Sequence, residues 1–346
     1  MNSHFITEIE IKNFKCFDSF EAKGFKRVNL IGGKNNVGKT TLLEVLYINA
    51  NGENENEFLN AVFRALRGRD NFFGANNVFN ESISNFYHAL FTIRAKAVQN
   101  QQKDRMNSIT TNRKNEVAFS FLEEFTGLKM SYTFNGENKN KNLSLSTLQD
   151  FFKSHKTFLK TAENIIFLRP IGLTNYDINE LYGNVIELRE TQNLNKALQS
   201  FDNDFEEFQI INREPKVFSK SLDNFISTTQ LGDGAKKLIN TFISLYSAKD
   251  GILLVDEIDN GIHYTQLDDL WKIILTIAEK QKVQVFATTH SKECIESYAR
   301  VAKKLEDEDI AFVELCRNRD NELKALVLDK EMFLFELDQN HEVRGC

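Results

Sequence analysis

The octapeptide Gly33-Lys34-Asn35-Asn36-Val37-Gly38-Lys39-Thr40 constrains this chain more than any other stretch, because it fits the pattern GxxxxGK[ST]. That pattern works only between a strand and a helix, where the glycines turn backbone N–H groups around phosphate oxygens at a helix N-terminus. The flanks comply. Arg27 to Ile31 is a short β-prone run with Val28, Leu30 and Ile31, and Thr40 to Ile48 carries Leu42, Leu43, Val45, Leu46 and Tyr47 as a mostly apolar helix. Gly33, Asn36, Gly38 and Thr41 are then expected along the phosphates. Lys39 would reach the β- and γ-phosphates, and Thr40 would offer its hydroxyl to Mg²⁺.

Two further stretches fit the same sheet. Gly251-Ile252-Leu253-Leu254-Val255-Asp256-Glu257 is an apolar strand that delivers two carboxylates at its C-terminal end. Ligands of open α/β sheets bind outside the carboxyl ends of the strands, so Asp256 is expected beside the glycine loop as a Mg²⁺ partner, with Glu257 orienting the attacking water. Val283 to Ser291 is another apolar strand and ends in His290, placed to meet a γ-phosphate. ATP and Mg²⁺ are the cofactors this set implies.

The remaining chain sorts around these three points. Thr7 to Phe14 alternates like a strand, so it and Arg27 to Ile31 read as the first two. Residues 51–161 turn polar and Asn-rich, with helical candidates near Glu57 to Leu66 and Glu81 to Phe91 and strands at Glu116 to Phe121 and Leu128 to Phe134, the last running into a hairpin turn at Asn135-Gly136. This reads as an inserted α+β lobe between an N-terminal part, 1–50, and a C-terminal part, 162–346. Asn164 to Leu168 reads as a strand, the stretch from there to about Phe225 as short helical segments and polar turns, Gly234 to Leu245 and Tyr264 to Glu279 as amphipathic helices, and Ala311 to Leu315 and Leu323 to Leu328 as closing strands. Strands alternating with helices predict an α/β fold, a mixed sheet with flanking helices.

A chain of 346 residues builds such a core without staples, and its four cysteines, Cys16, Cys294, Cys316 and Cys346, form no CxxC pair. The formal charge of −6, with acidic residues spread throughout, argues against a protein whose main task is coating nucleic acid. With no apolar leader after Met1-Asn2-Ser3-His4 and no long apolar run, a cytoplasmic chain without membrane contact is expected.

Together the motifs resemble the ABC-type ATPases of the RecF, SMC and overcoming-lysogenization-defect branch. The resemblance rests on the opening Ile11-Lys12-Asn13-Phe14-Lys15, on Leu231-Gly232-Asp233-Gly234-Ala235-Lys236-Lys237, which is similar to the ABC signature, on Asp256 to His263, similar to Walker B continued into a D-loop, and on His290 as switch histidine. The compact Gly-Asp-Gly signature is most similar to the AAA-type, RecF-like ATPases of phage-defence operons, including the ATPase subunits of the PARIS and Septu systems. What the resemblance implies is a homodimer or higher homo-oligomer, each nucleotide being sandwiched between the phosphate loop of one copy and Leu231, Gly232, Asp233, Gly234, Asp259 and Asn260 of the other. Gly232 stands where the family's signature serine is usual, and no glutamine among Gln99, Gln101 and Gln102 has a convincing strand before it for a Q-loop.

An ATP-driven switch that controls a separate effector, such as a nuclease, is therefore the expected function, in anti-phage defence. The alternative is a RecF-like DNA-binding repair ATPase. It draws on Phe91 to Asn115, where Arg94, Lys96, Lys103, Arg105, Arg113 and Lys114 oppose only Asp104 and keep nucleic acid open as a partner.

Overall fold

The computed structural model describes residues 5–52, 57–58, 60–61, 107–111, 116–121, 127–134, 137–144 and 164–339. Along the chain, β1 (Glu8–Phe14) and β2 (Phe17–Lys23) form a hairpin, β3 (Val28–Gly33) leads through the glycine loop into α1 (Lys39–Ala50), and β4 (Asn107–Thr111), β5 (Glu116–Phe121), β6 (Gly127–Phe134) and β7 (Glu137–Ser144) follow. After β8 (Ile165–Leu168) come α2 (Asn175–Glu187), α3 (Thr191–Phe201), β9 (Phe205–Ile211), β10 (Glu214–Ser219) and β11 (Asn224–Ser227). The chain continues with α4 (Asp233–Ser247), β12 (Ile252–Val255), α5 (Leu267–Gln281), β13 (Gln284–Thr288), α6 (Lys292–Lys304), β14 (Ile310–Arg317), β15 (Leu323–Asp329) and α7 (Lys330–Asp338).

The central sheet has the order β15-β14-β3-β13-β12-β8, with β15 alone antiparallel. Its middle strands are apolar on both sides because both faces are covered, and every residue of β3, β12 and β13 is buried. Alternate side chains feed two cores. Leu253, Val255, Val285 and Ala287 join α4, α5 and α6, while Ile252, Leu254 and Phe286 join α1 and the β1–β2 hairpin. Trp271 of α5 and Tyr298 of α6 anchor the first core, their rings 4.6 Å apart.

A second, wholly antiparallel sheet runs β2-β1-β4-β5-β6-β7, so strands from 107–144 extend the hairpin that opens the chain. β6 and β7 pair with Phe134 opposite Glu137, the register a two-residue connection gives. The helices expected near Glu57 to Leu66 and Glu81 to Phe91 lie outside the described residues, apart from helical backbone at Glu57, Phe58, Asn60 and Ala61.

Two expectations are corrected. Val28–Gly33 is the third strand, because Phe17–Lys23 forms one before it; Phe17 and Phe20, three apart and both buried, hide the two-residue period. The stretch before Phe225 is not only helices and turns, for β9, β10 and β11 form a three-stranded antiparallel sheet. Its first hairpin turns at Asn212 and Arg213, both at positive φ (54° and 64°), and the arginine in place of a glycine masks a type I′ turn.

Candidate nucleotide-binding site

β3 ends at Gly33 and α1 begins at Lys39, with Gly38 as N-cap at φ 96°. A side chain at position 38 would put its Cβ 2.8 Å from the Cys16 Sγ atom, so glycine is what lets the loop close onto the tip of the β1–β2 hairpin. Asn36, at φ 61°, is exposed on the crown of the loop, and Thr41 is half-buried in the first turn of α1. Lys39 folds back over the loop, donating from Nζ to the carbonyls of Gly33 (2.6 Å) and Lys34 (2.8 Å). Burial pushes its ammonium down to about 8 against the pull of Asp256 and Glu257. The hairpin tip adds a cation of its own, as Lys15 bonds the buried Glu44 of α1 at 2.5 Å.

Parallel register sets the opposite wall. β12 lies between β13 and β8 and delivers Asp256, buried, and then Glu257 at φ 51°. A left-handed conformation costs a non-glycine residue about 1–2 kcal/mol, strain of the kind that gathers at functional turns. Thr40 donates from Oγ1 to Asp256 Oδ2 at 2.9 Å, and Thr288, at the end of β13, donates to Oδ1 at 2.6 Å. The Thr288 hydroxyl also accepts the Glu257 N–H at 2.8 Å, so one side chain fixes the Asp256 carboxylate and the Glu257 backbone. His290 follows, with Nε2 3.8 Å from Glu257 Oε1; burial, then the Lys39 charge, lower its pKa below the ordinary histidine value. Gly33, Lys39, Thr40, Asp256, Glu257 and His290 are thus gathered at one edge of the sheet.

The signature stretch is carried elsewhere. Leu231 packs on the core that holds α4, whereas α1 belongs to the core on the other face of the sheet. Gly232 is the exposed N-cap of α4, and the Asp233 carboxylate points outward, 3.6 Å from Lys236 Nζ. Gly234 meets the turn after β12 at backbone distance, since a Cβ there would lie 2.2 Å from the Gly261 carbonyl oxygen. In that turn Asn260 N–H donates to the Glu257 carbonyl, and Asp259 accepts from Thr289 Oγ1 at 2.7 Å. The expected trans group, Leu231 to Gly234 with Asp259 and Asn260, is therefore contiguous.

Three contributors escaped sequence reasoning. Thr288 lies inside the strand that drew attention only for His290. Glu44 reads as one polar residue on an apolar helix. Lys237 sits in the signature stretch as an apparent surface lysine, yet it is buried and its Nζ donates to the Asp256 carbonyl at 2.8 Å. Burial pushes its ammonium, too, down to about 8. Arg169 directly follows β8, which pairs with β12; Gln99, Gln101 and Gln102, weighed for a Q-loop, lie outside the described residues.

A glycine loop after β3 and paired carboxylates after β12, at the carboxyl edge of a mainly parallel sheet, define a P-loop nucleotide-hydrolysing α/β protein. Residues 28–296 match the family described as "AAA domain, putative AbiEii toxin, Type IV TA system", and the chain belongs to that family of ATPases. It is similar to an "ATP/GTP phosphatase" of Helicobacter pylori (strain ATCC 700392 / 26695), 25% identical over 334 residues that span 86% of this chain and 89% of that one. Among solved structures it is similar to an SMC head bound to the C-winged helix domain of ScpA, at 12% identity and a TM-score of 0.52 over 96% of this chain and 99% of that chain. An SMC head with an extended coiled coil, bound to the C-terminal domain of ScpA derived from Pyrococcus furiosus, matches at 10% identity and a TM-score of 0.50, covering 97% of this chain and 99% of the other. These likenesses establish an SMC-head-like α/β fold. No helix among the described residues is long and apolar enough to cross a membrane.

Proposed function

We propose that the chain is an ATP-driven switch that dimerises around Mg-ATP and controls a separate effector in anti-phage defence. One observation carries the dimer: α1, behind the phosphate loop, and α4, behind the signature stretch, belong to opposite faces of the central sheet. A second copy would bring Gly232 to Gly234 and the N–H groups of α4 to the γ-phosphate. Defence rests on the toxin-system wording of the family description and on the resemblance of the compact signature.

Thr40 and Asp256, their oxygens 2.9 Å apart, are a hard-donor pair that suits Mg²⁺, which favours oxygen ligands and keeps water and phosphate in most of its shell. Mg²⁺, when bound, neutralises charge on the β- and γ-phosphate oxygens. Lys39, held over the loop by two carbonyls, would exchange them for phosphate oxygens. Glu257 would orient water and accept its proton, and His290, its pKa lowered by burial and then by the Lys39 charge, would donate to or accept from the γ-phosphate region. Departure of the γ-phosphate would remove the charge-assisted contacts between copies and open the dimer.

Light scattering of the Glu257→Gln protein with and without Mg-ATP tests this reading. The expected mass doubles with Mg-ATP and hydrolysis falls by a factor of about 100 or more. A mass that ATP leaves unchanged would overturn the sandwich, and hydrolysis at the parent rate would overturn the role of Glu257. An effector is expected to copurify with Glu257→Gln protein in ATP and to be lost from Lys39→Ala. The repair alternative draws on the cations of Phe91 to Asn115, all of which lie outside the described residues.

A further inference from the structure

A cavity of about 460 Å³ opens on the flank of α4, between that helix, the 170–175 turn after β8, Thr228 and the turn at Asn260-Gly261. Its chemistry is divided. Lys236, Lys237, Asn240 and Thr228 bring charge and hydrogen-bonding groups to its lining, and Ile171, Leu173 and Ile178 bring apolar surface. Asn240 is only 7% exposed and Thr228 only 6%, and among the described residues neither side chain makes a hydrogen bond. Neither has a polar atom sealed from solvent without a partner, so both side chains open onto the cavity, where a ligand would take the place of water. Lys237 spends one of its three N–H groups on the Asp256 carbonyl and has two left for the cavity. Asp233, the one acidic residue in the lining, turns its carboxylate out to solvent and is paired with Lys236.

We propose that this cavity is a second ligand site, one that takes a small phosphate monoester, its charged end between Lys237, Asn240 and Thr228 and its apolar body against Ile171, Leu173 and Ile178. The volume suits a small metabolite. Leu231 and Gly232, the residues read as facing a partner's nucleotide, do not line it, although Asp233 and Asn260 do. Occupancy has a route to the hydrolytic edge. An anion that draws Lys237 Nζ toward itself weakens the bond to the Asp256 carbonyl, which makes the cavity a regulatory site rather than a second reaction centre.

Calorimetric titration of the Lys39→Ala protein with phenyl phosphate and with inorganic phosphate tests the site without the phosphate loop, and without any sandwich, so its outcome is independent of the dimer reading. Phenyl phosphate is expected to bind about tenfold tighter than inorganic phosphate, since only it covers the apolar surface. Adding Asn240→Asp should abolish binding by repulsion, and adding Thr228→Val should weaken it about tenfold. The Thr228 hydroxyl makes no hydrogen bond that folding needs, so the thermal melt of Thr228→Val should match its parent; Asn240→Asp places a carboxylate at a buried position, and were it to fail to fold, Thr228→Val would decide alone. No binding of either probe at about 10 mM, equal affinity for the two, or binding indifferent to both substitutions would each overturn the proposal.

Discussion

Replacing Lys237 by Met removes the ammonium that donates to the Asp256 carbonyl while keeping an apolar stem in the same space. Two contributions to stability oppose each other. Burial holds the Lys237 pKa near 8 rather than 10.5, so keeping it charged at pH 7 costs about 3 kcal/mol at about 1.4 kcal/mol per pKa unit. The hydrogen bond from a charged donor returns about 1.5–3 kcal/mol. The Met protein should therefore match its parent at pH 7 to within about 2 kcal/mol, while its ATPase rate falls at least tenfold as the end of β12 loses its anchor. The pH dependence separates these effects. A folded-state pKa below the unfolded one means that the unfolded chain binds more protons between about pH 8 and 10.5, so stability rises with pH through that window. Lys237 should contribute about 2 kcal/mol of the rise between pH 7 and 10, which the Met protein lacks. Lys39 acts in the same direction in both proteins and cancels in the comparison. Urea unfolding of the pair at pH 7, 8.5 and 10 measures the difference; identical pH slopes, or an unchanged turnover rate, would refute the assignment.

Lys39, near 8 without nucleotide, should be fully protonated once phosphate oxygens replace its carbonyls, so binding at pH 8 should take up about half a proton. Calorimetry in two buffers of different ionisation heat reads that uptake, and affinity should fall as pH rises from 7 to 9. Thr288→Val should cut turnover about tenfold or more by freeing the Glu257 N–H and one Asp256 oxygen together, whereas Thr288→Ser should restore it; steady-state rates distinguish the two. Gly234→Ala is a test of sign: helix propensity alone predicts about 1 kcal/mol of stabilisation, but a Cβ 2.2 Å from the Gly261 carbonyl oxygen should make thermal melts show a net loss.

Much of the nucleotide edge is legible in the sequence because its parts are local. The glycine loop needs only residues 33 to 40 and the strand and helix that flank them, and the Asp256-Glu257 pair announces itself at the end of four apolar residues. The apolar strands β8 and β12 are equally plain, since each is an unbroken run of four apolar residues, and in β13 Val285 to Ala287 carry the same signal. β2 and β9 are obscured by the same physics in reverse. Each is buried on one face only, and Phe17 with Phe20, or Phe205 with Phe208, imitates helical spacing, while β10 alternates but turns Pro215 and Ser219 inward beside Val217.

What the sequence by itself determined is the chemistry available: a phosphate loop, a hydroxyl, two carboxylates and a histidine, each at the end of a segment that must be a strand or begin a helix. The tertiary structure decided which of these touch. Thr40 and Asp256 lie 216 positions apart and meet only because β13 sits between β3 and β12, an order that does not follow the chain. The same non-sequential order lets Thr288 fix the Asp256 carboxylate and the Glu257 backbone, and the packing of α4 on the opposite face turns a surface-looking lysine into a buried bond to Asp256. The cavity beside Asn240 belongs wholly to this level, for it is walled by turns and a helix from distant parts of the chain. Local motifs depend on backbone geometry that neighbouring residues set for themselves; contacts across the sheet depend on strand order and register, which the burial of the whole core selects.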